Sequence, residues 1–60
     1  VMYEVRWDYT DGTYRHSEFC TSEEAWKFFS ILEEGDLIDS VGLYYTDGDG
    51  AERELASWSR

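Results

Sequence analysis

Sixty residues carry 14 acidic and 5 basic side chains, a net charge of −9 and 18% aromatic residues. The length allows one domain, and the aromatic content excludes a disordered acidic tail. The basic residues Arg6, Arg15, Lys27, Arg53 and Arg60 are scattered, which excludes the clustered cations that a phosphate backbone or an anionic membrane needs.

Val1-Met2-Tyr3-Glu4-Val5-Arg6-Trp7-Asp8-Tyr9 alternates with period two. Val1, Tyr3, Val5, Trp7 and Tyr9 share one face of a half-buried strand, and Glu4, Arg6 and Asp8 share the other. Thr10-Asp11-Gly12 is the turn. A two-residue Asp-Gly turn would put Phe19 on the polar face. A three-residue turn with Gly12 left-handed sets Tyr3 opposite Phe19 and Val5 opposite Ser17. Burial of Phe19 selects the second register, because a one-residue slip turns over every side chain. The second strand then runs from about Thr13 to Phe19, with Tyr14, His16 and Glu18 on the open face.

Thr21-Ser22-Glu23-Glu24 is a capping box, with Thr21 as N-cap and Glu24 at N3. The predicted helix runs to about Glu34, with Gly35 as the C′ residue. Ala25, Phe28, Phe29 and Leu32 form the apolar stripe, with Trp26 and Ile31 on its flanks. Leu37 and Ile38, in the connector, are expected to close the end of the core.

Ser40 to Tyr45 is the third strand, with Val41, Leu43 and Tyr45 inward. Thr46-Asp47-Gly48-Asp49-Gly50 is a second turn, and Tyr45-Thr46-Asp47-Gly48 echoes Tyr9-Thr10-Asp11-Gly12. Residues 51–60 read either as a fourth strand or as a short helix capped by Asp49; the strand is preferred. The expected fold is α+β, ββαβ(β), one domain over residues 1–60. It divides into a hairpin at 1–20, a helix at 21–35 and a strand or hairpin at 40–60. The expected sheet order is 2-1-3-4, antiparallel, with the helix on one face and the other face uncovered.

The lone Cys20 cannot form an internal disulfide, which fits a reducing compartment. No stretch suits a signal peptide or a membrane span, so a cytoplasmic location is expected. Whether Val1, which precedes Met2, is native stays open. His16 with Cys20 is the one pair that resembles nucleophilic chemistry. Here His16 reads as a surface strand residue across from Arg6, and Cys20 as a small buried residue before the cap. Asp47, Asp49, Glu52 and Glu54 surround the second turn, but their spacing does not fit a calcium loop, and no zinc spacing or phosphate loop is present. No enzyme activity, metal or cofactor is expected.

The open sheet face carries the functional signal. Glu4, Arg6, Asp8, Tyr14, His16, Glu18 and Tyr44 share it, and Glu52, Glu54 and Trp58 join according to the last register. Carboxylates interleaved with tyrosines suit a protein contact surface. The candidate partner-binding residues are Glu4, Asp8, Tyr14, His16, Glu18 and Tyr44, with Trp26 as a second contact. The charge favours a protein partner with a basic surface. Pairing of two copies through the open face or an edge strand is the alternative.

Tyr3-Glu4-Val5, Asp11-Gly12, Thr21-Ser22-Glu23 and Leu43-Tyr44-Tyr45 stand in the order hairpin, capped acidic helix, strand. In this the chain resembles small acidic bacteriophage proteins, nearest the phage inhibitors of uracil-DNA glycosylase that fold as ββαβ dimers. Some anti-CRISPR proteins share the same size, charge and logic. The resemblance implies an inhibitor that imitates the charge of the DNA backbone and occupies a nucleic-acid enzyme's groove, in a host cytoplasm. It covers the architecture of most of the chain, which extends one element past the third strand. No residue role is carried over.

Overall fold

The computed structural model describes residues 2–60; Val1, placed on the first strand by its pattern, lies outside the described residues. The elements in chain order are β1 (Met2–Tyr9), β2 (Tyr14–Phe19), α1 (Ser22–Glu33), β3 (Ile38–Thr46) and β4 (Glu52–Ser59). They form one sheet in the order β2-β1-β3-β4, antiparallel at every pairing. Residues 51–60 contribute a strand, as preferred, and not a helix.

Phe19 decides the register of the first hairpin. Tyr3 lies opposite Phe19 and Val5 opposite Ser17, so the three-residue turn is the one adopted. Gly12 has φ +92°, which only glycine adopts without strain. The Thr13 hydroxyl and backbone N–H hold the Asp11 carboxyl below its usual range; the backbone N–H donates to Asp11 Oδ1 at 2.9 Å. The second turn repeats this design two residues later than the sequence echo suggests. Gly50, with φ +86°, takes the role of Gly12, and Asp49-Gly50 matches Asp11-Gly12. Asp47 lies at the start of that turn, where its Oδ1 accepts from the backbone N–H groups of Asp49 and Ala51.

Thr21 caps α1, accepting from the Glu24 backbone N–H at 3.3 Å. The helix lays its stripe on the face of β1 and β3 that carries Val5, Trp7, Val41 and Leu43. Ala25 and Phe29 are buried among these, and Phe28 and Leu32 pack at the margin. Gly35 follows the helix, but not in the left-handed conformation expected of a C′ glycine. Close approach explains it: a Cβ there would meet Ile38 Cγ1 at 3.0 Å. Ile38 is buried and closes the core as expected, whereas Leu37 is 69% exposed. The Leu37 carbonyl is drawn to the Thr10 backbone N–H at 2.8 Å, and the connector is held by its backbone. Arg60 also binds it, its Nη2 donating to the carbonyls of Asp36 and Ile38.

Cys20 is exposed, contrary to expectation. It occupies the bend between β2 and α1, beyond the margin of the core.

Candidate functional site

The sheet face away from α1 is assembled by register. Asp8 lies between Tyr14 and Ser40, Arg6 between His16 and Gly42, and Glu4 between Glu18 and Tyr44. On β4, Glu54 pairs with Tyr44, Glu52 with Thr46, Ser57 with Gly42 and Ser59 with Ser40. Six of the seven candidate residues, Glu4, Asp8, Tyr14, His16, Glu18 and Tyr44, therefore share one surface. Trp26 is not among them. It lies on α1, on the other side of the sheet, 42% exposed and edge-on to Phe29 at 5.8 Å.

Trp58 does not join the open face either. The β3–β4 register shifts between Leu43 and Tyr44, leaving Leu55 without a partner. One extra residue in a strand reverses the alternation beyond it. Glu52 and Glu54 accordingly sit on the open face, while Ala56 and Trp58, of the same parity, pack against the core. The bulge keeps a Trp in the core and two carboxylates outside it.

Arg6 organises the centre of the face. Its Nε donates to Glu4 Oε1 at 2.6 Å and its Nη1 lies 2.8 Å from Glu52 Oε1. Its guanidinium lies over the Tyr44 ring, 4.2 Å from the centroid, within cation–π range. The hydrogen bonds to Glu52 and then Glu4 push the Arg6 pKa well above its ordinary value. Beneath, the Tyr44 ring covers Gly42, where a Cβ would meet Tyr44 Cε2 at 2.8 Å. His16 Nδ1 lies 3.1 Å from the second oxygen of Glu4. Glu4 thus faces Arg6 and His16 as well as Glu18 directly opposite, a like-charge pair that the Arg6 guanidinium offsets.

The charge balance of the face is five carboxylates (Glu4, Asp8, Glu18, Glu52 and Glu54) to one guanidinium, itself engaged by two of the five. Asp8 is held in place by the Ser40 hydroxyl, which donates to Oδ2 at 3.0 Å. Among the described residues no group of His, Cys, Asp and Glu has metal-binding geometry, and no helix is long and apolar enough to cross a membrane. A concavity of about 360 Å³ on the helix side is lined by Thr21, Glu23, Glu24 and Lys27.

The glycine under Tyr44 yields a direct prediction. Gly42→Ala is expected to change stability by less than about 1 kcal/mol, because the gain over glycine in a strand offsets the displaced ring. It should expose Tyr44 and release Arg6 from its ring, which photo-oxidation labelling of the tyrosines would show.

Sequence reasoning missed the role of Arg6 as the centre of the face, the serines of β3 and β4, and the bulge at Leu55. Ser57 and Ser59 alternate with Trp58 in the sequence, and only the bulged register puts them on one face with Ser40. No protein-family model, curated protein or solved structure matches this chain, so the functional reading rests on the face itself.

Proposed function

We propose that the domain is a non-enzymatic, acidic binding protein whose open sheet face docks on the basic surface of a partner protein. In this reading it acts as an inhibitor or adaptor of a nucleic-acid enzyme, taking the place of the DNA backbone. One observation carries it: the uncovered face concentrates five carboxylates around tyrosines, and its lone arginine is already paired within the chain. Such a face repels phosphate and attracts a phosphate-binding groove. Glu4, Asp8, Tyr14, His16, Glu18 and Tyr44 make the contact; Trp26, on the helix layer, would serve a separate one.

The test is a salt titration of binding to the partner, with the partner's nucleic acid as competitor. Affinity should fall by at least about tenfold from low to moderately high salt, as charge-dominated encounters do, and nucleic acid should compete. Affinity that ignores salt would remove the mimicry.

The assembly reading has the two free sheet edges, β2 and β4, in its favour. Against it stands a net charge of −9 on each copy. Sedimentation at micromolar concentration separates the two readings, and a strict monomer excludes assembly.

A further inference from the structure

The open face is not flat. Ser40 pairs with Ser59, and Gly42 with Ser57, so four short residues adjoin on β3 and β4. They floor a hollow of about 260 Å³, walled by Asp8, Tyr14, Arg6 and Tyr44.

The wall groups differ in what they have left to offer. The Tyr44 ring already carries the Arg6 guanidinium, and Arg6 is held by Glu4 and Glu52. Tyr14 is 52% exposed. Asp8 lies directly opposite it; its carboxylate accepts one hydroxyl, from Ser40, and among the described residues no basic side chain pairs with it. A carboxylate next to an available aromatic ring, above hydroxyl acceptors, is complementary to a planar cation.

We propose that this hollow receives an arginine side chain from the basic protein partner, its guanidinium paired with Asp8 and stacked on Tyr14. The inference rests on the proposed docking of the open face and names the group that enters it. Arginine fits better than lysine, because its flat fork can meet a carboxylate in two bonds while its face lies on a ring. A phosphate is repelled by the surrounding carboxylates. A second copy of this chain would bring −9 against −9, and of its arginines Arg6 and Arg60 are already engaged.

The experiment is a titration of the isotope-labelled domain, followed by amide NMR. The probes are a short Gly/Ser peptide with one central arginine and its lysine and citrulline counterparts. With arginine, shifts should centre on Ser40, Gly42, Ser57 and Ser59. Asp8→Asn and Tyr14→Leu should each weaken binding by about fivefold or more, as loss of a charged partner or a stacking ring does. Glu33→Gln, which removes the same charge from the helix, should change binding by less than about twofold, as a distant screened charge does. The spectrum of each variant reports its fold, and two independent hollow variants guard against a misfolded one. Shifts spread over all acidic residues, with Asp8→Asn and Glu33→Gln equal, would overturn the hollow and leave the basic-partner reading standing. Failure of both cationic peptides to bind at low salt would count against both. Equal binding of citrulline would overturn the ion pair.

Discussion

Leu43→Ala is expected to destabilise the domain by about 3 kcal/mol, the usual cost of emptying a fully buried leucine site. Leu43 is 0% exposed and lies at the middle of β3, opposite Val5 on one side and Ala56 on the other. The loss is large because the protein is small. An accessible surface of 4137 Å² corresponds to burial of roughly 60% of the unfolded chain's surface, little for a folded domain. A domain of this length has about 3–9 kcal/mol in total, so the variant should lose between about a third and all of its stability. Denaturant unfolding measures it. Leu55→Ala serves as the contrast, since Leu55 sits at the bulge and is 42% exposed; its cost should stay below about 1 kcal/mol. Similar losses at the two leucines would mean that the core is not centred on β3.

Arg6→Gln is expected to cost about 1 kcal/mol at low ionic strength, the upper end for a partly exposed ion-pair network. The figure is held down by solvent, since the Arg6 and Glu52 side chains are 33% and 43% exposed. The sign of its dependence on conditions is more diagnostic than its size. In the native chain the Arg6 pKa is raised, so the guanidinium stays charged at every ordinary pH. Its contribution is therefore present across the ordinary pH range and is lost only under strongly alkaline conditions. In the variant the same face holds five carboxylates and no guanidinium. Those charges repel one another with no cation between them, so added salt should raise the variant's stability and narrow the gap to the native chain. Unfolding curves over salt give the slope for each. Parallel curves for variant and native would show that Arg6 does not hold the acidic face together.

Much of this arrangement was legible in the sequence, and the parts that were not share a physical cause. Phe19 forced one hairpin register out of two, and Thr21 with Glu24 marked the helix start, because each feature was local and had one consistent solution. The sheet order followed from the strand–helix–strand connection. The bulge at Leu55 was not legible, because either face of β4 offered reasonable pairings until β3 was beside it. The same limit applies to the small residues. Gly35 looked like a helix terminator and instead yields to Ile38, and Gly42 lies beneath Tyr44; both are close approaches that only tertiary packing reveals. Leu37 and Cys20 were expected inside on hydrophobicity alone, yet their backbone positions put them outside. For the site, alternation placed six residues on one face correctly. Placing the helix on one face already set Trp26 on the opposite layer from them; alternation could not show that Arg6 is the hub that they surround.

The central claim is that the open face, and not net charge in general, is the binding surface. It is tested most directly by two variants of equal charge, each with two carboxylates fewer than the native −9. One is Glu18→Gln with Glu54→Gln on the open face, and the other is Glu33→Gln with Glu34→Gln at the end of α1. Affinity for a basic partner, captured on the immobilised native domain and then purified, is measured for both. The open-face variant should bind about tenfold more weakly or worse, and the helix variant within about twofold of native, as expected when contact charges and distant charges are compared. Equal weakening by the two would contradict the claim and leave only a diffuse acidic surface.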